Sequence, residues 1–198
     1  MLVVAKEYVK EIAEIRKLYD TAEQDLKTVG REQNVLIVAG VNQCRYAGQH
    51  LSRALAATEH ETVVEELAAA NRHLRRAVYD INDAAIQFYL GEIEAFKKRF
   101  PINLSQHIPA YGNVMSAVVA AKEHIEEASQ QNHGNRETLY DQVREDISAL
   151  RTARNTLVAH ESDCYASLRS ANRARLTAWA AVAVSLLSGL ALFLLRLL

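Results

Sequence analysis

The sequence contains few of the residues that interrupt helices, with only 7 Gly and 2 Pro among 198 residues. This scarcity excludes collagen-like chains and disordered chains rich in Pro and Gly. No segment shows the alternation of apolar and polar residues that predicts a half-buried strand. Alanine, leucine, glutamate, glutamine and arginine, which favour helix, are plentiful. The composition therefore predicts an all-α protein.

Several kinds of site are also missing from the sequence. Its 2 Cys, Cys44 and Cys164, have no metal-ligand spacing, which argues against a Cys-based metal site and predicts buried free thiols. No Gly-rich phosphate loop, Ser/His/Asp set or paired-Glu metal motif is visible, so neither a cofactor nor a metal is expected. The first residues, MLVVAKEYVK, lack an apolar core long enough for a signal peptide.

Charge is nearly balanced, with a formal net charge of -1 at pH 7. Any basic surface must therefore be local. Basic residues gather in four segments: 72–76, 97–99, 151–154 and 169–175.

Apolar residues repeat at alternating steps of four and three along most of the chain, which predicts helices that pack as an antiparallel bundle. We expect three parts: a coiled-coil-like helix in 1–30, a helical domain in 31–175 and a membrane segment in 176–196. About five helices are predicted: a first ending near Gly30, then 31–57, 60–99, 113–131, and a last one from about 136, with a Pro-containing loop at 101–113.

One long run carries no charge: LTAWAAVAVSLLSGLALFLL, from Leu176 to Leu195. A helix of this length rises about 30 Å, the thickness of the hydrocarbon core of a bilayer. Arg169, Arg173 and Arg175 precede the run and only Arg196 follows it, so the preceding domain should face the cytoplasm. The pattern predicts a membrane partner and a single-pass membrane protein with a C-terminal transmembrane helix.

The last helix carries two charges on its apolar seam, Arg154 and Glu161. A buried charge without a partner costs several kcal/mol. The pattern therefore points Arg154 towards a neighbouring helix or a second copy of the chain. A structural salt bridge between Arg154 and Glu161 is an alternative explanation.

The segment RNTLVAH, Arg154 to His160, resembles the R-x(4–6)-H signature of the HEPN superfamily, in which Asn often follows the Arg. Arg45 to His50 and Arg53 to His60 share the bare spacing but lack the Asn. The resemblance implies a helical, metal-independent endoribonuclease that acts as a homodimer or higher homo-oligomer. It also implies an RNA substrate, a role in toxin–antitoxin, anti-phage or CRISPR-associated defence, and an antitoxin or activator partner. These systems are bacterial, so the resemblance implies that the predicted membrane is the bacterial inner membrane.

The predicted chemistry uses Arg154, Asn155 and His160 as catalytic residues. Histidine exchanges protons near neutral pH, and a guanidinium stabilises charge that grows on phosphoryl oxygens. Six residues of helix separate Arg154 and His160 by about 120° and about 9 Å, so one motif does not form a compact site. We therefore expect two copies to share each site.

Weaker RNA-binding or cleft candidates lie outside this motif; they are Arg45, His50, Arg72, His73, Arg75, Arg76 and Arg151. Most such side chains are simply the solvated face of a packed helix. Two other functions stay open at this point: an oligomeric membrane pore regulated by a HEPN-like domain, and a non-catalytic tail-anchored helical scaffold or sensor.

Overall fold

The computed structural model describes the backbone of residues 6–130 and 136–197 and the side chains of 6–127 and 143–188. Within these residues the chain forms six α-helices and two short 3-10 turns, without any strand. The prediction of an all-α bundle is confirmed. The helices are α1 (Val9–Gln33), α2 (Val38–Ala56), α3 (His60–Arg99), α4 (Tyr111–Gln130), α5 (Arg136–Ala159) and α6 (Glu161–Leu197).

The boundary between the first two helices differs from the predicted one. α1 continues past Gly30 and ends at Asn34, whose φ of 54° is left-handed. Asparagine tolerates this conformation, and the N–H groups of Asn34 and Val35 both donate to the Gly30 carbonyl. α2 therefore begins at Val38 rather than near residue 31. The NHGN turn expected at 132–135 lies outside the described residues.

The chain divides into two compact units. Unit 1 comprises the described parts of 1–91 and 117–151, and unit 2 comprises those of 92–116 and 152–198.

The core of unit 1 depends on small residues along α2. Ala47 is fully buried and Ala54 is 7% exposed, so the backbone of α2 approaches its neighbours closely. Gly40 lies against Ile81 of α3, where a Cβ on the glycine would come within 2.5 Å of Ile81 Cγ1. One hydrophobic core cluster contains Ile15, Ala47, Ala54, Leu67, Ala70 and Leu74.

Unit 2 is built around aromatic residues near the end of α3. Phe100 is 1% exposed and packs against Phe96 and Tyr165, with ring centroids 4.8 and 4.7 Å away. The segment that follows is anchored by Leu104 and Ile108, both buried. Apolar contacts of this kind hold the 3-10 turn Leu104–Gln106 in place.

The predicted transmembrane helix is wrong on this structure. Among the residues whose side chains are described, no helix is long and apolar enough to cross a membrane. The described part of the predicted segment, 176–188, rises only about 20 Å and follows the arginine-rich residues 169–175. The rest of the predicted segment lies outside those residues. The prediction of a single-pass membrane protein is wrong for the same reason.

Candidate functional site

The predicted motif lies where a long helix is interrupted. α5 ends at Ala159 and α6 begins at Glu161, with His160 in the turn between them. The His160 N–H donates to the Leu157 carbonyl at 3.2 Å, an i→i−3 bond that tightens the helix locally. The sequence predicts a helix that runs on through this point, so the break sets His160 apart from an ordinary helix position.

Arg154 lies at the edge of the buried seam and not on it. Ala153 takes the buried position and is 4% exposed, whereas the Arg154 side chain is 38% exposed. Its guanidinium is 3.8 Å from a carboxylate oxygen of Glu92, and its Nη1 donates to Asn155 Oδ1 at 3.3 Å. The Nε atom is buried and has no hydrogen-bond partner among the described residues. The guanidinium is therefore only weakly satisfied by the protein.

A first cavity, of about 220 Å³, opens beside Arg154. Its charged wall contains two arginines and two glutamates, and Arg99 and Glu161 pair with each other at 2.5 Å. The Glu161 partner is thus Arg99 and not Arg154. The complete lining is Glu92, Phe96, Arg99, Arg154, Leu157, Val158 and Glu161.

A second, open cavity of about 580 Å³ lies on another face of α6. His160 is 34% exposed, and its Nδ1 is 3.4 Å from Oδ2 of Asp163, which lines this cavity. On the same wall, Nε2 of His107 and Oγ of Ser167 are 3.0 Å apart. Ser170, Ala166 and Ala171 complete the lining.

Arg154 and His160 thus lie next to different cavities within unit 2. Arg154 lines the first, whereas His160 contacts the wall of the second through Asp163. Asn155 is exposed and contacts Arg154. One copy of the motif accordingly places the cation and the imidazole apart.

Two of the weaker candidates are brought together in unit 1. The rings of His50 and His73 stack with centroids 5.1 Å apart and planes at 18°. Nδ1 of His50 is 2.6 Å from Glu66, and Nδ1 of His73 is 2.7 Å from Gln43. Burial is the main cause that lowers the pKa of His73, followed by the nearby charges of His50 and Arg72.

Two other candidates, Arg75 and Arg76, are held by side chains around them. Arg75 bonds Asn71 and Glu14. Arg76 pairs with Asp80 at 2.8 Å. These ion pairs tie the arginines to neighbouring carboxylates, which leaves them poorly placed to bind RNA.

Arg151 also has structural partners, since it pairs with Glu32 at 3.0 Å and donates to Tyr89 at 3.1 Å. Burial, followed by the hydrogen bond between Tyr89 and Glu32, raises the pKa of Tyr89. Arg45 lies over the Tyr46 ring at 5.0 Å and, like Arg72, is exposed.

Sequence patterns missed the second imidazole of unit 2. His107 belongs to the segment PINLSQHIP, which the sequence marks only as a loop. The one signal that distinguishes His107 is its position between Leu104 and Ile108, two buried apolar residues that fix the loop.

Comparisons with protein-family models, curated proteins and solved structures find no match for this chain. Within the described part of the chain, no three His, Cys, Asp or Glu side chains are grouped as ligands of a metal would be. What the site offers is a poorly satisfied guanidinium and two partly exposed imidazoles, which suit anion binding and proton transfer.

Proposed function

We propose that this chain is a HEPN-like endoribonuclease that acts without a metal and works as a homodimer. Arg154 binds the scissile phosphate, His160 transfers a proton and Asn155 holds the guanidinium. Members of the superfamily that the motif resembles act in defence and toxin–antitoxin systems, so we propose a role as an RNA-directed effector.

The weak satisfaction of Arg154 carries this proposal. A guanidinium fork binds two phosphate oxygens at once with short, charge-assisted hydrogen bonds. Arg154 has instead a 3.8 Å contact with Glu92 and a buried Nε that bonds none of the described residues. A phosphate in the cavity would supply better acceptors than the protein does. Arginines with a structural role, such as Arg151, already have close partners.

His160 has the features that a proton-transfer group needs. Its ring is partly exposed, so a substrate can reach it. An Nδ1–H that donates to Asp163 leaves the lone pair of Nε2 available to accept a proton. No hydrogen bond from Nε2 to another described residue competes with this role.

The separation of the two groups supports a dimeric enzyme. Arg154 lines the first cavity, whereas His160 lies in the turn after α5 and contacts Asp163 on the wall of the second. In a two-fold symmetric dimer each contact occurs twice, so Arg154 of one copy meets His160 of the other at two equivalent sites. A chain held as a strict monomer should then be inactive.

The test compares RNA cleavage in EDTA by the purified full chain and by its Arg154→Ala and His160→Ala variants. We expect cleavage by the parent and a loss of at least about 100-fold in each variant. Arg53→Ala and His60→Ala are matched controls, because these residues form a second Arg–His pair with a similar spacing. Circular dichroism verifies that every variant folds.

The outcomes separate a catalytic motif from a structural one. Equal loss in the Arg53 and Arg154 variants would point to general damage and count against the proposal. A folded parent chain that leaves RNA intact would contradict it and favour the non-catalytic scaffold.

A further inference from the structure

His107 lines the second cavity, and His160 contacts the wall of that cavity through Asp163, yet the predicted motif contains only His160. We infer that His107 is the general acid of the proposed ribonuclease, acting opposite His160. This inference rests on the proposed function and adds a catalytic residue to its site. Nothing in the R-x(4–6)-H spacing points to His107, because it lies on a different segment of the chain.

Both imidazoles contact side chains on one face of α6. Asp163 and Ser167 are four residues apart and thus neighbours on one helix face, one turn or about 6 Å from each other. Asp163 holds His160, and Ser167 holds His107. A phosphodiester lying across the cavity between these two contacts would have one imidazole at each end, and in the proposed dimer Arg154 of the other copy would bind its phosphate.

Contacts of its backbone, of its neighbour in the chain and of its ring hold His107 in place. Its backbone N–H donates to the Leu104 carbonyl at 3.0 Å, and Ile108 next to it is fully buried. Ser167 fixes the Nε2 side of the ring, whereas Nδ1 has no hydrogen bond to any described residue. The ring is partly exposed. Nδ1 is therefore free to deliver a proton to a substrate.

Cleavage of RNA by its own 2′-hydroxyl needs two proton transfers, and two histidines supply both. Nε2 of His160 takes the proton of the 2′-hydroxyl while the 2′-oxygen forms a bond to phosphorus. The bond from phosphorus to the 5′-oxygen breaks, and the protonated His107 gives its Nδ1 proton to that oxygen. The products are a 2′,3′-cyclic phosphate and a 5′-hydroxyl; His160 is left protonated and His107 neutral, and proton exchange with water restores both histidines.

A structural role for His107 predicts different behaviour. If the hydrogen bond to Ser167 only docks the loop on α6, then loss of His107 would slow every substrate equally. A general acid matters only when the leaving group is poor. Substrates that differ in their leaving group therefore distinguish the two roles.

The experiment measures the cleavage of a diribonucleotide and of a uridine 3′-phosphate ester of 4-nitrophenol by the full chain. His107→Gln keeps a side chain that can bond Ser167 but removes the acid. We expect a loss of about 100-fold or more on the diribonucleotide and less than about threefold on the nitrophenyl ester. Ser167→Ala keeps His107 and should lose less than about tenfold on either.

Each outcome has a defined meaning. An equal loss on both substrates, or no loss on the diribonucleotide, overturns the role of His107. If His160→Ala is inactive while His107→Gln is fully active, the proposed ribonuclease stands and this inference alone fails. If the parent chain cleaves neither substrate, the proposed function falls, and the role of His107 with it.

Discussion

The close approach of α2 to α3 can be tested by adding one methyl group at Gly40. Gly40→Ala adds a methyl group that would meet Ile81 Cγ1 at 2.5 Å and Cδ1 at 3.1 Å. Carbon atoms do not approach this closely, so either Ile81 or the backbone of α2 must move. The same helix offers a matched control, because a Cβ at Gly48 meets nothing within 4 Å.

The two substitutions should have opposite signs. Overpacking a core costs about 1–3 kcal/mol, and a 2.5 Å contact with Cγ1, which is not the far end of the Ile81 side chain, puts Gly40→Ala at about 2–3 kcal/mol. This cost exceeds the gain of at most about 1 kcal/mol from replacing Gly by Ala in a helix. Gly40→Ala should therefore lower the free energy of unfolding by about 1–2 kcal/mol. Gly48→Ala should raise it by about 0.5–1 kcal/mol, because no clash offsets the gain in helix propensity.

Thermal unfolding followed by far-ultraviolet circular dichroism measures the difference. For a chain of this size about 1 kcal/mol corresponds to about 2–4 °C, so the Tm values of the two variants should differ by about 3–10 °C. Adding Ile81→Ala should relieve the clash, and Gly40→Ala should then cost less than it does in the parent chain. The reasoning is refuted if Gly40→Ala is as stable as Gly48→Ala.

Three further predictions concern groups outside the site. The hydrogen bond that His124 donates to Asp146 raises the pKa of His124, so the stability it adds is fully present below about pH 6.5 and is lost as pH rises through the raised value. In urea unfolding, the difference in stability between the parent and His124→Gln should shrink above that value, and a difference that widens would contradict this sign. Burial raises the pKa of the Cys44 and Cys164 thiols. Both should therefore react slowly with iodoacetamide at pH 7.5 in the folded chain and quickly in urea. Rapid labelling of the folded chain would show that the thiols are accessible. Phe100→Ala should cost about 3–5 kcal/mol because the ring is 1% exposed, and a loss below about 1 kcal/mol in urea unfolding would mean that the site can collapse.

The sequence predicted the helices well where the pattern is long. The bounds of α3 agree with the predicted 60–99, since its apolar repeat runs for many turns between clear ends. The predicted start of α2 was wrong because α1 continues past Gly30, and the residue that ends it in a left-handed conformation is Asn34 and not the glycine. The transmembrane prediction was wrong, since no helix among the described residues is long and apolar enough to cross a membrane.

The candidate site was less predictable, for two physical reasons. A small residue can occupy a buried seam as well as a large one. Ala153 takes the buried position that the apolar pattern assigns to Arg154, so Arg154 lies at the edge of the seam. The break at His160 contains neither Gly nor Pro, and its tight turn therefore leaves no mark in the sequence. The partners of Arg154 and Glu161 come from the end of α3, far away in the chain, so no local pattern identifies Glu92 and Arg99.

The most direct test of the central claim is complementation between two inactive chains. Arg154→Ala and His160→Ala are co-expressed so that mixed dimers form, and RNA cleavage in EDTA is compared with that of each variant alone. If Arg154 of one copy works with His160 of the other, half of the dimers are mixed and each has one intact site, which restores about a quarter of the parent rate. A mixture that stays as inactive as its components, while the parent chain cleaves RNA, would contradict a site shared between two copies.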